Sequence, residues 1–417
     1  MKNYLIIADD FTGANDTGVQ IRRRGIPVKV MFSGKELRSS MGTFGSCVID
    51  TESRFLSEEE AFRKMSSQAE QIPFENFHHV FKKVDSTLRG NIGAETKALA
   101  NCYKPELVIF APALPDLGRT TINSIHCLKG IPVCQTELAK DPKNPVRIDN
   151  IQKILAGFFD EKVTHINVDT LRKGPDAFCG SLDTTEKMRI VSFDAETNGD
   201  LKTIIQAVLA TEKQVLWVGS AGLADNLLGV EVFIPPALAV VASLSSVTRK
   251  QALYAEKQGV SLVKIPLYAM LEKTIDPEAI THEAVKFLGE GRDIILLPSS
   301  SCSTEEYQKT EAAARFKEMS SEAMGNFTQE TIGSIALQIL GRSEISGLFL
   351  SGGDTAISCF NKAGASGSEI IAEAATGIPL MRLRGGAYDG LKVITKAGAF
   401  GNEDAIFYAL RKLREAD

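Results

Sequence analysis

Residues 1–25 read MKNYLIIADDFTGANDTGVQIRRRG, and this order of residue types decides the fold class. An apolar run, YLIIA (4–8), stops at two adjacent carboxylates, Asp9 and Asp10. A Thr12-Gly13 step then opens a longer amphipathic stretch that closes at Gly25. Short apolar runs ended abruptly by polar residues are the mark of strands buried on both faces of a parallel sheet. The stretch therefore predicts strand, turn and helix. Its apolar part is shorter than the roughly 7–15 residues of a secretion signal, so no leader is expected.

The rhythm recurs down the chain. CVI (47–49) meets Asp50, HVFKKV (79–84) meets Asp85 and Ser86, and LVIFA (107–111) meets Pro112. HINV (165–168), IVSF (190–193) and VLWV (215–218) end at Asp169, Asp194 and Gly219, with helical stretches such as 201–210 between them. EVFIPPALA (231–239) interrupts the series, because consecutive prolines continue neither a helix nor a central strand. Beyond it come AVVAS, SLVKI (261–265), DIILLP (293–298), GLFL (347–350), LMRLR (380–384) and LKVIT (391–395), and residues 326–341 carry apolar side chains at helical spacing. A chain of 417 residues is also long for one core. The expectation is an α/β protein of two lobes, 1–230 and 239–417 with a linker at 231–238. Each lobe would hold a mostly parallel or mixed sheet flanked by helices. Ligands of such sheets bind beyond the carboxyl ends of the strands, so the active site is expected in the cleft between the lobes.

Composition narrows the partners. Lys and Arg number 47 against 52 acidic residues, and the cations form no stripe, so no nucleic-acid surface is expected. No apolar run reaches about 18 residues, and no membrane span is expected. Seven scattered cysteines without a CxxC pair fit a reducing cytoplasm and no structural zinc. The five histidines lack paired ligand spacing. Neither GxxxxGK[ST] nor a strand-to-helix GxGxxG occurs, which disfavours a P-loop enzyme and a nicotinamide dehydrogenase. GSAGLAD (219–225) lacks the GxSxG of a nucleophile elbow.

The strand-end turns carry the chemistry. Asp9 and Asp10 can bind hydroxyls, hold magnesium or accept a proton, and a helix cap needs only one of them. IDTESR (49–54) offers Arg54, a bidentate partner for a carboxylate. In KKVDSTLRGNIGAE (82–95), Lys82 and Lys83 point to opposite faces of their strand, so one of them faces the site. Asp85, Ser86, Thr87 and Arg89 follow, with glycines before a helix, as in an anion cradle. PALPDLGRTT (112–121) reads as a structured flap, and Asp141–Arg147 as a rigid loop. In the second lobe, Ser351-Gly352-Gly353 end a buried strand and Asp354-Thr355 start a helix, the clearest phosphate-type turn. Asp354 suits a place near bound magnesium or a cap. Ser243, at another strand end, precedes a helix.

ADDFTGANDTG, KKVDSTLRGN, PALPDLGRTT and SGGDT, with the late KAGAFG, together resemble the four-carbon acid sugar kinase family over almost the whole chain. TGANDTGVQ resembles the D-threonate kinases most. The resemblance implies an N-terminal lobe that binds the acid sugar and a C-terminal lobe that binds ATP. By motif match, Asp10, Arg54 and Lys83-Val84-Asp85-Ser86 would line the sugar-acid site. Ser243, Gly352 through Thr355, and Gly398 would contact ATP. The reaction implied is transfer of the γ-phosphoryl group to the C4 hydroxyl, with Mg2+ as companion ion. The product would feed a 4-phospho-acid dehydrogenase. Within that frame Arg54 or Lys83 would hold the C1 carboxylate. Asp85, Asp10 and Asp354 are the candidate proton acceptors, Asp85 being preferred. No metal ligands are assigned. D-erythronate and 3-oxo-tetronate are the alternative substrates, and a sugar-acid sensor is the non-enzyme alternative. A homodimer is the base-rate expectation.

Overall fold

The computed structural model describes residues 2–35, 37, 45–183, 188–242 and 245–416. The chain forms two compact units, Met1–Phe233 and Ile234–Asp417. The helix Ala221–Glu231 ends the first and the strand Leu238–Val241 begins the sheet of the second, so Pro235 and Pro236 lie between regular elements.

Unit 1 is built on eight parallel strands in the spatial order Val28–Met31, Ser46–Asp50, Tyr4–Ala8, His79–Lys83, Val215–Gly219, Leu107–Ala111, Arg189–Phe193 and Val163–Ile166. From Tyr4–Ala8 the chain winds toward one edge, and from His79–Lys83 toward the other. The two helices that follow these strands consequently cover opposite faces. Phe11–Arg23 buries Ala14 and Ile21 with Tyr4, Ile6 and Trp217. Ile92–Tyr103 buries Ala98 and Leu99 with Leu5, Ile7 and Val80. A crevice opens between the ends of such diverging strands, the usual ligand site of a doubly wound sheet.

Unit 2 repeats the plan. Its order is Ser261–Ile265, Ile294–Pro298, Leu238–Val241, Leu348–Ser351, Lys392–Lys396, Ile378–Arg384 and Gly367–Ala375. The first five strands are parallel and the last two antiparallel. In both units the first four strands stand in the order second, third, first, fourth. The helices Ser246–Lys257 and Gly353–Lys362 again pack on opposite faces, through Ala252 and Ala255 on one side and Ala356 and Cys359 on the other.

Some elements depart from the sequence reading. The HINV strand is Val163–Ile166, because Asn167 caps a short helix by accepting from Thr170 N at 2.9 Å. The PALPDLGRTT flap contributes to a separate antiparallel sheet of Arg119–Ile122, Ile125–Leu128 and Ile131–Pro132. Among the described residues no helix is long and apolar enough to cross a membrane.

Candidate active site

At the switch point of unit 1, Asp9 and Asp10 emerge from the strand Tyr4–Ala8 beside Arg54, which follows its neighbour Ser46–Asp50. The Arg54 guanidinium donates to both carboxylates: Nε and Nη2 reach Asp9 at 2.8 and 3.0 Å, and Nη1 and Nη2 reach Asp10 at 2.8 and 2.7 Å. Asp85 lies 3.9 Å from Nη1. These acidic neighbours hold Arg54 above its ordinary range against the opposing effect of burial. Most of the fork is thus committed within the protein. Asp10 also caps the helix Phe11–Arg23, accepting from Gly13 N at 3.0 Å. Gly13 is needed there, since a Cβ would lie 2.6 Å from Asp10 Oδ1 and 3.0 Å from the Lys83 ammonium.

The two lysines divide as the strand pleat requires. Lys83 turns to the face of Phe11–Arg23. Its ammonium donates to Val84 O at 3.0 Å and has no carboxylate within 4.0 Å among the described residues. Burial pulls Lys83 below its ordinary range, while Asp9, Asp85 and Asp10 pull it back up. Lys82 turns the other way and pairs with Glu95 at 2.8 Å, both fully enclosed. Burial raises the Glu95 carboxyl, opposed by Lys82. Val84 contributes main chain only, its side chain lying in the core.

Asp85 is saturated with donors. It accepts from the main-chain N of Thr87 and of Arg89, the Thr87 hydroxyl, and Arg89 Nε and Nη2, the last two at 3.1 Å. Burial opposes ionisation, but Arg89 and Thr87 outweigh it and hold the carboxyl well below its ordinary range. That environment makes Asp85 a poor proton acceptor, contrary to the preference drawn from sequence. Ser86 presents its carbonyl to His126 Nε2 at 2.9 Å, while His126 Nδ1 meets the Thr121 hydroxyl at 2.9 Å. A carbonyl only accepts, so His126 carries its proton on Nε2 and stays neutral. Burial holds it down to about 4.

Asn144 was not singled out from sequence, whereas Gly90 and Asp50 belong to turns that were. Asn144, in the loop Asp141–Arg147, donates to Arg54 O at 2.6 Å and accepts from Gly90 N at 3.2 Å. Gly90 has φ +96°, and a Cβ would come within 2.8 Å of Asp9 Oδ2. Asp50 accepts from Glu52 N at 3.0 Å, and burial, with Glu52 and Asp10 adding, pushes it up to about 6. Not every strand end joins in. Asp194 instead accepts from the main-chain N of Asn123, Ser124 and Val168.

In unit 2, a cavity of about 660 Å3 opens at the corresponding switch point, lined by Ser351, Gly352, Gly353, Asp354, Thr355 and Gly398. Tyr307, Met319 and Met324 also line it. Gly352 has φ +105° where the strand turns into the helix Gly353–Lys362. The Ser351 hydroxyl is buried without a partner among the described residues, and Asp354 is exposed on the first helical turn. The small residues at the turn, the buried hydroxyl and the helix start fit a nucleotide's phosphates. Ser243 lies outside the described residues. Among those described, no three His, Cys, Asp or Glu side chains group as a metal cage.

A polar, charge-paired crevice on one unit and a glycine-turned cavity on the other are the parts of a two-domain small-molecule kinase. Family models match both: a sugar-binding N-terminal domain over residues 4–227 and a nucleotide-binding C-terminal domain over 238–406. A D-threonate kinase of Salmonella typhimurium is 34% identical over 99% of this chain and 98% of its own. A D-erythronate kinase of Heliobacterium modesticaldum is 29% identical with the same coverage. A crystal structure from Bordetella bronchiseptica, described as a domain of unknown function with bound citrate in a domain-swapped dimer, superposes with a TM-score of 0.58. It is 25% identical and covers 99% of this chain and 98% of that one. The chain belongs to the four-carbon acid sugar kinase family. It is an ATP-binding kinase acting on an acid sugar of the threonate, erythronate or 3-oxo-tetronate type.

Proposed function

We propose that the chain is a D-threonate 4-kinase, transferring the γ-phosphoryl group of ATP to the C4 hydroxyl to give 4-phospho-D-threonate and ADP. The observation carrying the choice of acid is the 34% identity to a D-threonate kinase over 99% of the chain. The 3-oxo-tetronate kinases lie at 24–25%.

In this reading Lys83 holds the C1 carboxylate, because the Arg54 donors are engaged by Asp9 and Asp10. Arg54 then positions those two carboxylates for the substrate hydroxyls. Asp10 also receives Arg54 and the Gly13 N–H, but it is the most open of Asp9, Asp10 and Asp85 and the one a substrate hydroxyl can reach, so it accepts the C4 proton. Arg89 and Ser86 complete the wall around Asp85, and Lys82 supports it from the far face through Glu95. Ser351, Gly352, Gly353, Thr355 and Gly398 line the phosphate end of the nucleotide site, with Ser243 assigned there by motif. Asp354 is the carboxylate suited to magnesium, which is commonly held by one or two carboxylates with a substrate's phosphates. When bound, that ion would neutralise charge on the phosphate oxygens.

ATP as donor and seven unpaired cysteines support a cytoplasmic location. A 4-phosphorylated hydroxy acid is a fit substrate for a following dehydrogenase. The dimer described for the Bordetella relative supports a homodimer here.

The test is an ATP-coupled assay over D- and L-threonate, D- and L-erythronate and their 3-oxo forms. D-threonate is expected to show the highest kcat/KM, and equal turnover of all would sink the assignment. Asp10→Asn should lower kcat at saturating acid. A near-normal kcat would remove Asp10 as proton acceptor.

A further inference from the structure

Lys396 ends the strand Lys392–Lys396 and is almost wholly buried. Its ammonium donates to three main-chain carbonyls of the turn that follows: Ala397 at 3.1 Å, Gly398 at 3.0 Å and Phe400 at 3.1 Å. Two uncharged side chains of the helix Ser246–Lys257 hold the same turn. Thr248 Oγ1 donates to Gly398 O at 2.7 Å, and Gln251 Nε2 donates to the carbonyls of Phe400, Gly401 and Asn402 at 3.0, 3.1 and 2.8 Å. The carbonyls of 397, 398 and 400–402 are thus drawn inward. The main-chain N–H groups of Gly398, Ala399 and Gly401 have no acceptor among the described residues, and Gly398 lines the cavity. Lys396 also accepts from Gly352 N at 2.9 Å through its own carbonyl, so it braces both glycine turns of the site.

Carboxylates offset the other buried cations of the two sites: even Lys83, with none within 4.0 Å among the described residues, is pulled back up by Asp9, Asp85 and Asp10. Arg54 is paired with Asp9 and Asp10, and Lys82 with Glu95. No carboxylate of the described residues lies within 4.0 Å of the Lys396 ammonium. The elements around it contribute the uncharged Thr248, Gln251 and Ser351 and, on the neighbouring turn, the exposed Asp354. Burial alone pulls its pKa down to about 8. Exposed N–H groups backed by a buried, unneutralised cation match a polyanion.

We propose that Lys396 is the phosphate-positioning residue of the nucleotide site. It fixes the 397–402 turn with N–H groups free for phosphate oxygens, and its buried charge is neutralised by the polyphosphate of ATP or ADP. All three of its donors are taken by carbonyls, so it acts through the turn and through its field, not by touching the ligand. The inference rests on the reading of this unit as the ATP-binding one and adds the residue that makes the site wait for an anion.

The test is calorimetric titration of the full chain with ADP at pH 8.0, in two buffers of different ionisation enthalpy. With Lys396 about half protonated in the free protein, phosphate binding should draw in roughly half a proton per ADP. Lys396→Gln keeps two donors for the turn but no charge, and Lys396→Met keeps neither. Both should weaken ADP binding on the order of 30-fold and abolish the proton uptake. Wild-type binding without proton uptake overturns the proposal, even if the variants melt early. So does a Lys396→Met protein that binds ADP within about 3-fold of wild type. Wild-type protein that binds no ADP at all would sink the nucleotide reading and this inference together.

Discussion

Replacing Arg54 by Met tests whether the acid-sugar crevice is held together by one guanidinium. Four hydrogen bonds of 2.7–3.0 Å run from Arg54 to Asp9 and Asp10, and the side chains of Arg54 and Asp9 are 8% and 3% exposed. An exposed ion pair contributes about 1 kcal/mol or less. Removing one partner of a buried pair strands the other charge, and typically costs about 3–5 kcal/mol. The larger figure should apply here, because two adjacent carboxylates would face each other with nothing between them. The assay has a built-in reporter. Trp217 is the only tryptophan of the chain and is fully buried in the central sheet of unit 1. Urea unfolding followed by its emission therefore reads unit 1. Arg54→Met should lose about 3–5 kcal/mol by this measure, and adding Asp9→Asn should recover part of the loss. ADP binding by unit 2 serves as the control and should not change. A loss below about 1 kcal/mol would refute the reasoning and reduce Arg54 to a surface-type ion pair.

Acid should weaken unit 1 through His126. Its folded pKa of about 4 lies below the ordinary 6.5, so the unfolded chain binds the extra proton and stability falls as pH drops from 6.5 toward 4. Between pH 7.5 and 5.0 the contribution is about 2 kcal/mol. Wild type and His126→Gln should converge by that amount in Trp217-detected unfolding, while the opposing titration of Asp50 cancels in the comparison. Parallel curves at the two pH values would refute it. Gly13→Ala should disturb the crevice directly. Alanine favours the helix by up to about 1 kcal/mol, yet its Cβ meets the Asp10 carboxylate and the Lys83 ammonium. Acid-sugar kcat/KM should fall about 10-fold or more, displacement of the Asp10 cap should cancel the helix gain in urea resistance, and full activity would overturn the placement of Lys83. Gly90→Ala should cost about 1–3 kcal/mol of unit 1 stability from its positive φ alone. A neutral result in the urea assay would contradict the close approach to Asp9.

Strands buried on both faces wrote themselves plainly into the chain. Tyr4–Ala8 and Leu107–Ala111 match their apolar runs, since both are fully buried interior strands beneath helices on each face. Where one face is exposed, the signal weakens. Val28–Met31 (VKVM) is a sheet edge with an exposed Lys29. Gly367–Ala375 is an almost wholly exposed edge strand, and its Glu and Ala content opposes its conformation. Pairing with Ile378–Arg384 overrides that propensity. The site shows the same division. Strand-end residues were legible because topology sends them to one place. Their partners were not: Glu95, His126 and Asn144 come from a helix, a small sheet and a loop whose approach depends on packing. Nor did residue type reveal that Arg54 is already satisfied and Asp85 saturated, since both follow from side-chain positions that local spacing does not encode.

One winding order serves the two units in chemically opposite ways. In each, the first and fourth strands diverge and leave an opening at their carboxyl ends. Unit 1 fills that opening with carboxylates and cations that largely neutralise one another, so its geometry stands ready before any ligand arrives. Such a site suits a polyol acid, which brings several hydroxyls and a single charge. Unit 2 places glycines at the opening, turns carbonyls away from it and keeps the Lys396 cation without a carboxylate partner. An unpaired buried charge is costly in the free protein, and a polyphosphate relieves that cost on binding. The same topology thus yields one site that is electrostatically complete alone and one completed by its ligand. The difference lies in whether aspartates surround the buried cations, as Asp9, Asp10 and Asp85 do Arg54 and Lys83, or only uncharged groups do, as around Lys396.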